Sequence, residues 1–393
     1  MTAASGDDIM LKLLHTADWH LGRRYRSFPP EHAQRLSRAR LDVLDRILAV
    51  ADHYQVDAVL CAGDLFDEPN PTAEWWEQTA AKLRRSAPAR PVFLLPGNHD
   101  PLTQDSIWAG THRFRELLPA WAHVVDRNDF QYELPNGAVL YAVPCTSKAG
   151  QADPTRAIPH RESGDERIRI GMVHGSTFDE ADWQTNFPID RDAVLHCGLD
   201  YLAIGDTHGF RFIPADRRIP PTIYPGAPEP TAFDEKDAGS VAVVFINRRR
   251  VATVQQERVA RWWWEDVTVT SIAELRAVVQ RTDLQDRVLR LHVEMRVPAP
   301  EYDEAERLLE ELKGTDARHG RAGVLDLDRQ ALMLETATIG DHCADLPDVL
   351  RSVVERLSAI AADKPEQRQA AERSLFHLYR SARRKASQCA SPA

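Results

Sequence analysis

The chain has 393 residues, 43% of them hydrophobic and 27% charged, a composition ordinary for a globular protein with two or three compact units. Its formal net charge of −10 excludes a basic protein that coats nucleic acid with its whole surface. Contact with a polyanion would therefore be local, made by arginine clusters and bound cations. No apolar run approaches the roughly 18 residues that span a bilayer, so no membrane partner is expected.

The cysteines and the N-terminal segment indicate the cellular compartment. Residues 1–9 contain neither a basic n-region nor an apolar h-region, so they do not have the pattern of an export signal. We expect a cytoplasmic protein with a flexible extension at residues 1–9. No two cysteines form a CxxC pair, which argues against a zinc knuckle and a disulfide framework. The five cysteines are Cys61, Cys145, Cys197, Cys343 and Cys389.

Residues 10–259 alternate short apolar runs with helical patterns, as a layered α/β domain does. A hairpin around residues 247–250 is expected to close this domain. A helix is predicted after the first run, because apolar residues recur every three or four positions at Leu41, Leu44, Ile47, Leu48 and Ala51. The strands predicted before the hairpin are 11–15, 58–61, 92–95, 139–143, 168–173 and 201–204.

The second part of the chain predicts a different architecture. A β-α-β-α-β order indicates a small α+β cap domain at residues 260–340, and its first helix opens with Ser271 and Glu274 in the spacing of a capping box. Residues 341–393 predict a tail of two helices, the second of which begins at Pro365. The strands predicted in the cap are 262–270, 288–297 and 324–327. The apolar face of the first tail helix consists of Leu346, Val349, Leu350, Val353, Leu357 and Ile360.

Five of the predicted strands lead directly into polar side chains that bind metals. The loops after the carboxyl ends of strands converge on one edge of an α/β sheet, so these side chains are expected to share one pocket. Imidazole and carboxylate suit manganese, iron or zinc better than calcium. Two such ions about 3.5–4 Å apart clamp a phosphate and activate a bridging water. The motifs contain Asp18 and His20, Asp64 and Asp67, Asn98 and His99, His174, and Asp206 and His208.

Each motif by itself has an ordinary structural interpretation. Gly-Asp is commonly a turn, His174 alone would be a hydrogen-bonded structural histidine, and Asn98 alone would be a turn former. The joint pattern is what indicates chemistry, because five strand-end motifs follow in order within about 190 residues. The sequence therefore predicts a two-metal phosphoesterase.

The ordered motifs resemble those of the calcineurin-like metallophosphoesterases, which read D-x-H, G-D-x-x-D, G-N-H-D/E, a lone histidine and G-H-x-H. Within that superfamily the chain is similar to SbcD-type DNA repair exonucleases, through HTADWHLG at 15–22, GDLFDEPNP at 63–71 and PGNHD at 96–100. The resemblance implies an α/β fold with a layered metallophosphoesterase domain, a small α+β cap domain and a helical C-terminal tail.

The resemblance also implies the roles of the site residues. His99 would stabilise the scissile phosphate and protonate the leaving oxygen, and the Asp67 carboxylate would orient that imidazole. Manganese is the expected metal, with magnesium, iron or zinc as alternatives. The first ion would be held by Asp18, His20, Asp64 and His208. The second ion would share Asp64 as a bridge and be held by Asn98, His174 and Asp206.

Position 206 departs from the family pattern, which has histidine there. Asp206 is shorter than histidine and adds a negative charge, which would weaken the Lewis acidity of the second ion. Its carboxylate is still a good ligand for manganese or magnesium. Two outcomes stay open, an active enzyme with an altered metal preference and an enzyme with weak or lost activity. We expect the first, because the rest of the pattern is intact.

The arginines after the first motif bear on the substrate. Arg23, Arg24 and Arg26 would lie at the rim of the pocket, where guanidinium groups grip the phosphates that flank a cleavage point. The alternative is a solvated turn. These observations and the resemblance favour a DNA exonuclease or endonuclease.

The resemblance implies a partner as well as a substrate. An SMC-like coiled-coil ATPase of the SbcC type would bind the C-terminal helices, although the same helices could equally pack on the catalytic domain. A homodimer is also left open. The competing functions are a phosphoesterase for a small phosphodiester or phosphoprotein, and a catalytically weakened scaffold that binds DNA ends or the ATPase.

Overall fold

The computed structural model describes residues 9–85, 90–177, 186–313, 322–335 and 347–389. The chain divides into two compact units, of which one ends at Trp263 and the other begins at Trp264. The extension expected at residues 1–9 lies outside the described residues, apart from Ile9, which already begins the first strand. Among the described residues, no helix has the length and apolar character needed to cross a bilayer.

The first unit contains two six-stranded sheets with mixed strand directions. Four consecutive strands of each sheet are parallel, and antiparallel strands complete the edges. The first sheet has the order β12-β11-β1-β2-β3-β4 and the second has the order β5-β6-β7-β8-β10-β9. The strands are β1 (Ile9–Thr16), β2 (Ala58–Cys61), β3 (Val92–Leu94), β4 (Ala122–Val124), β5 (Phe130–Glu133), β6 (Val139–Val143), β7 (Arg169–His174), β8 (Tyr201–Gly205), β9 (Arg211–Phe212), β10 (Thr222–Tyr224), β11 (Ser240–Asn247) and β12 (Ala252–Arg258).

The two sheets pack face to face, and helices cover their outer faces. Successive side chains of a strand point to opposite faces, so Leu13 of β1 joins the core shared with Ile170 of the second sheet, whereas Leu14 joins the core under the first helix. The layered α/β prediction is therefore confirmed. The helices of this unit are α1 (Pro30–Tyr54), α2 (Ala73–Arg85), α3 (Arg113–Leu117) and α4 (Ala193–His196).

Helix α1 has the apolar stripe that the sequence predicts. Its first residue is Pro30, whose fixed φ and missing N–H suit the first turn of a helix. The helix ends at Tyr54, and the next residue, Gln55, caps it with a left-handed φ of 51°. All five predicted stripe residues are buried, and each buried leucine or isoleucine contributes about 1.5–3 kcal/mol. This burial fixes α1 against the first sheet.

The second unit contains the predicted β-α-β-α-β order with one additional strand pair. The single strand predicted at 288–297 is wrong, because the chain leaves one sheet at Val293 and enters another at Arg296. Strands β13, β14 and β16 form one sheet, and β15 pairs with β17. The elements are β13 (Trp263–Val269), α5 (Ile272–Val279), β14 (Arg287–Val293), β15 (Arg296–Val297), α6 (Ala299–Lys313), β16 (Val324–Asp328), β17 (Met333–Leu334), α7 (Asp348–Asp363) and α8 (Arg368–Cys389).

The two tail helices share a hydrophobic core with the cap strands. Val354 of α7 and Leu375 and Tyr379 of α8 are buried in the same cluster as Leu291 and Leu309. The cap and the tail therefore belong to one compact unit. The predicted boundary between residues 340 and 341 lies outside the described residues, as does Leu346 of the predicted apolar face.

Candidate metal centre

The predicted metal ligands follow strands of both sheets and meet in one pocket. Asp18 and Asp64 follow the parallel strands β1 and β2, while His174 ends β7 and Asp206 follows β8. Three overlapping groups of residues could each hold a metal ion, because the ligand atoms within each group lie within 4.8 Å of one another. These groups are Asp18 with His20 and His208, His20 with Asp64 and His99, and Asp18 with Asp64 and His174.

The backbone at these positions adopts conformations that residues other than glycine rarely adopt. Asp18, His20, Asp64 and Asp206 all have positive φ, of 54°, 44°, 53° and 110°. Positive φ at a non-glycine residue costs on the order of 1 kcal/mol and concentrates at functional sites. The Asp18 N–H donates to the Gly63 carbonyl at 3.0 Å, and the His20 N–H donates to the Asp64 carbonyl at 2.9 Å. These hydrogen bonds hold the first two loops together in the strained form.

Two glycines allow the ligands to approach so closely. A Cβ atom at Gly63 would lie 2.1 Å from Nδ1 of His174, and one at Gly97 would lie 2.1 Å from Oδ1 of Asp64. Both distances are far inside van der Waals contact. Any larger residue at either position would therefore displace a predicted metal ligand.

Each predicted ligand imidazole has its Nδ1 atom beside an acceptor. His208 Nδ1 lies 2.5 Å from Oε1 of Glu235, and His174 Nδ1 lies 2.9 Å from the Ala62 carbonyl oxygen. A neutral imidazole that donates from Nδ1 keeps a lone pair on Nε2, which is the arrangement of metal-binding histidines. The third imidazole, of His20, has its Nδ1 atom 3.2 Å from Oδ1 of Asp67.

The Nε2 atom of each of these imidazoles lies near another imidazole nitrogen or near oxygen atoms of the pocket. The Nε2 atoms of His20 and His208 are 3.1 Å apart. His174 Nε2 lies 2.9 Å from the amide oxygen of Asn98 and 3.5 Å from Oδ1 of Asp64. The arrangement therefore presents lone pairs to a shared space.

The carboxylates of the pocket perturb one another. Burial and the neighbouring charges of Asp64 and Asp206 raise the pKa of Asp18 well above its usual range. Burial would also raise the pKa of Asp64, but His174, His20 and His99 outweigh it and hold that pKa below its usual value. Two buried carboxylates this close favour a bound cation.

The donor set fits a divalent transition ion. Burial lowers the pKa of His20 to about 4, so its imidazole is neutral and able to act as a ligand at neutral pH. Neutral imidazole nitrogen and carboxylate oxygen, with no thiolate among the predicted ligands, are the donors that manganese, iron and zinc share.

Asp206 lies at the edge of this pocket. Its N–H donates to Oδ1 of Asp18 at 3.0 Å, and its Oδ1 atom lies 3.7 Å from Nε2 of His174. Its other carboxylate oxygen accepts a hydrogen bond from the hydroxyl of Ser176. Ser176 was not among the predicted site residues, and this hydrogen bond fixes the side chain at the position where the family has histidine.

His99 and Asp67 are close together, but not through the expected pair of side-chain atoms. His99 is exposed at the rim, and its Nδ1 atom lies 3.1 Å from the backbone carbonyl of Asp67. The Asp67 carboxylate instead lies 3.2 Å from both Nδ1 of His20 and the Arg23 guanidinium. Burial opposes the charge on Asp67, but these two partners lower its pKa to about 2. The expectation that this carboxylate orients His99 is therefore corrected.

The three arginines expected at the rim differ in their surroundings. Arg23 is partly buried and pairs with Asp67. Arg24 and Arg26 are exposed, with no hydrogen bond or ion pair to the residues that the structure describes. The first motif loop therefore carries one arginine that braces the pocket and two that face solvent.

Besides Ser176, three residues that support the site were missed by the sequence analysis. Glu235 lies 27 residues after His208 and belongs to no motif. Asp100 is buried and accepts hydrogen bonds from the N–H groups of Phe66 and Gly97, so it ties two loops together. Arg40 is buried on α1 and donates from Nε to the Trp19 carbonyl at 3.0 Å. Only Asp100, within PGNHD, carried a sequence signal.

Comparisons with known proteins agree with this geometry. The family model of the calcineurin-like phosphoesterases matches residues 11–210, which is 200 of the 393 residues. The chain is 26% identical over 325 residues to the uncharacterized metallophosphoesterase YhaO of Bacillus subtilis, covering 78% of this chain and 75% of YhaO.

Two nuclease relatives match over a smaller part of their length. The chain is 39% identical to a subunit of the nuclease SbcCD of Bacillus subtilis over 183 residues, which cover 43% of this chain and 38% of the relative. It is 39% identical to the DNA double-strand break repair protein Mre11 of Methanosarcina mazei over 252 residues, which cover 61% of this chain and 37% of the relative. The chain thus spans less than two fifths of either nuclease. By its matched region and its strand-end motifs, the chain belongs to the calcineurin-like phosphoesterase family.

Proposed function

We propose that this metallophosphoesterase is a nuclease that hydrolyses phosphodiester bonds of DNA and works with an SMC-like ATPase of the SbcC type. The observation that carries the proposal is the cluster of overlapping ligand groups that joins three buried or half-buried imidazoles and two buried carboxylates to an exposed histidine, His99. The name of the SbcCD relative supports a nuclease, and the name of the Mre11 relative, a DNA double-strand break repair protein, supports DNA as the substrate class.

Two ions would be held by the residues that the pocket brings together. When bound, two divalent ions, for which we propose manganese, supply Lewis acidity and an activated water for in-line attack on phosphorus. Asp64 is the proposed bridge, because its carboxylate lies within the reach of both histidine groups. The proposed ligands of the first site are Asp18, His20, Asp64 and His208. Those of the second are Asp64, Asn98, His174 and Asp206.

His99 is the proposed general acid. Its Nδ1 atom lies beside the Asp67 carbonyl, which favours a proton on Nδ1 and directs Nε2 away from that loop. The charged form then has a second proton at Nε2 to donate to the leaving oxygen. Its backbone N–H donates to Oδ1 of Asp64 at 2.9 Å, which holds the backbone of His99 next to the proposed bridge. A positioned acid of this kind contributes about 10²–10⁴ in rate.

The exposed arginines of the first motif loop are the proposed phosphate contacts. Arg24 and Arg26 face solvent near the pocket, where they would bind phosphates on either side of the cleavage point. Arg23 would contribute less, because its guanidinium already pairs with Asp67. Local positive charge of this kind is needed in a chain with a net charge of −10.

Helix α7 is the proposed docking element for the ATPase partner. Val349, Leu350 and Val353 are exposed by 75%, 37% and 38%, although their helix also contributes Val354 to the core of its own unit. Apolar residues at positions i, i+1 and i+4 form a patch that fits the apolar face of a coiled coil.

A manganese titration with three substrates tests this proposal. Linear duplex DNA, single-stranded DNA and bis(4-nitrophenyl) phosphate are incubated with the full chain, with and without a co-expressed SMC-like ATPase. We expect DNA cleavage that needs manganese and that the ATPase stimulates. Hydrolysis of the small diester without DNA cleavage under either condition would replace the nuclease by a small-molecule phosphodiesterase.

A further inference from the structure

A cleft of about 730 Å³ lies in the first unit, lined by residues of α1, α2 and the segment 261–262. None of the proposed metal ligands lines it. Its charged lining contains more arginine than acid, which makes it locally positive on a chain with a net charge of −10. The charged residues are Arg35, Arg38, Arg46 and Arg261 against Asp42 and Glu74.

Two of these arginines face the same aromatic ring. The guanidinium carbons of Arg35 and Arg261 lie 5.3 Å and 5.0 Å from the ring centroid of Trp262. Cation–π attraction holds both cations near the indole despite their mutual repulsion. Burial and the charge of Arg261 lower the pKa of Arg35. An anion bound beside Arg35 and Arg261 would offset the repulsion between their two positive charges.

One buried carboxylate, of Glu229, holds the backbone of Arg261 and Trp262 in place. The N–H groups of Arg261 and Trp262 donate to the two oxygens of Glu229, each at 2.8 Å. The Arg46 guanidinium lies 3.0 Å from the same carboxylate. Backbone positioned in this way is pre-organised, so little ordering is needed when a ligand binds.

The cleft abuts the loop of the first metal motif. Ser37, which lines the cleft, donates from its hydroxyl to the Arg23 carbonyl at 3.1 Å. Trp75, on the opposite helix, packs on Gly22, where an added Cβ would lie 3.2 Å from Cδ1 of the indole. One wall of the cleft is therefore hydrogen-bonded to Arg23, which lies three positions after His20 in the loop of the first metal motif.

We propose that this cleft binds a nucleotide unit of an unpaired DNA strand. The guanidinium groups of Arg35 and Arg261 contact the phosphate, and the half-buried indole of Trp75 offers a surface on which the base stacks. The inference rests on the proposed nuclease function, because it extends the substrate path from the metal centre. A free nucleotide carries the same chemistry, so the test separates the two sources.

The test compares the full chain with a variant that removes both cations, Arg35→Gln with Arg261→Gln. A matched control, Arg127→Gln with Arg156→Gln, removes the same charge from exposed positions of the first unit outside the cleft. Binding of fluorescein-labelled oligodeoxythymidine and of deoxythymidine monophosphate is measured in EDTA over a salt titration. Thermal unfolding and hydrolysis of bis(4-nitrophenyl) phosphate with manganese establish that each variant is folded.

We expect the cleft variant to bind the oligonucleotide about tenfold more weakly, with a salt slope reduced by about 1.4 for two lost phosphate contacts. The control variant should bind as the native chain does, and small-diester hydrolysis should be unchanged in both. If the cleft variant loses binding of the mononucleotide but still binds the oligonucleotide as the native chain does, the cleft is a site for a free nucleotide and not for a DNA strand.

Oligonucleotide and mononucleotide affinities that are the same in both double variants would overturn the proposal, as would a native chain that binds neither probe. The binding measurement distinguishes a failure of this inference from a failure of the proposed function. A chain that binds the oligonucleotide through the cleft but never cuts DNA would contradict the nuclease and leave the cleft standing.

Discussion

Oε1 of Glu235 lies 2.5 Å from Nδ1 of His208, so a carboxylate 27 residues away fixes the orientation of a proposed metal ligand. The same carboxylate accepts hydrogen bonds from the N–H and the hydroxyl of Thr231. Burial opposes its charge, but the hydrogen bond and charge of His208, together with the hydrogen bonds from Thr231, outweigh burial and lower the pKa of Glu235 to about 2. Glu235 therefore stays ionised and holds the His208 imidazole in one orientation, as a carboxylate partner of a metal-binding histidine does.

The first prediction concerns this pair. Glu235→Gln keeps the size of the side chain but removes the charge that supports His208, so manganese affinity should fall by about 10- to 100-fold. The measurement is calorimetric titration of manganese into the metal-free chain. Asp234→Asn, at the exposed neighbouring position, is the matched control and should leave affinity unchanged. Equal affinity in both variants would remove Glu235 from the metal centre.

The second prediction concerns the exposed imidazole at the rim. His99→Ala should lower the rate of DNA cleavage by about 10²–10⁴, because it removes the proposed acid. Manganese stoichiometry should not change, since His99 is not a proposed ligand. Turnover near that of the native chain would refute the acid role. Loss of one ion would make His99 a ligand.

The third prediction concerns the departure at position 206. Asp206→His should tighten the second manganese site and raise activity at low manganese, because imidazole removes a negative charge next to Asp18. Ser176→Ala should loosen the native carboxylate and weaken that site further. Occupancy and cleavage rate are measured over one manganese titration. The idea fails if the native chain already holds two ions stoichiometrically and the histidine variant is slower.

The fourth prediction concerns a histidine in the core. Burial lowers the pKa of His15 from 6.5 to about 3, and its Nδ1 atom lies 2.8 Å from the Tyr201 hydroxyl. Below pH 6.5 the imidazole is protonated in the unfolded state but stays neutral in the folded state. The free energy of unfolding is therefore unaffected by His15 above pH 6.5 and decreases as the pH falls towards 3. Between pH 6.5 and 4.5 the loss from this group should be about 2 kcal/mol.

His15→Gln should remove this part of the acid sensitivity. The free energy of unfolding is measured by urea denaturation in EDTA at pH 6.5 and 4.5 for the native chain and for the variant. His53→Gln, at an exposed position of α1, should keep the native pH dependence. Identical pH dependence in the native chain and in His15→Gln would show that the buried imidazole does not resist protonation.

Much of the first unit was predictable because its strands are short apolar runs and α1 has a regular stripe. The broken strand at 294–295 was not predictable, because apolar residues continue through it at Val293, Met295 and Val297 while the chain changes sheets. Hydrophobic periodicity reports burial, and both short strands are buried on one side. The hydrophobic pattern of such a run does not indicate which strand it pairs with.

The site shows the same division between local and distant signals. Residues in motifs, such as Asp18 and His174, could be placed together because parallel strands end at a common edge. Glu235 and Ser176 could not, because their roles depend on which side chain the fold brings within hydrogen-bond distance. The Asp67 carboxylate was assigned to the wrong imidazole for a related reason, since His20 and Arg23 compete for it.

The proposed bridge, Asp64, offers the most direct test of a metal-dependent nuclease. Manganese binding and cleavage of linear DNA are measured together for the native chain, for Asp64→Ala and for a control, Asp129→Asn, at a highly exposed position of the same unit. We predict that the native chain and the control bind two ions and cut DNA, whereas Asp64→Ala loses both properties. An Asp64→Ala chain that keeps two tightly bound ions, or that cuts DNA at the native rate, would contradict the account.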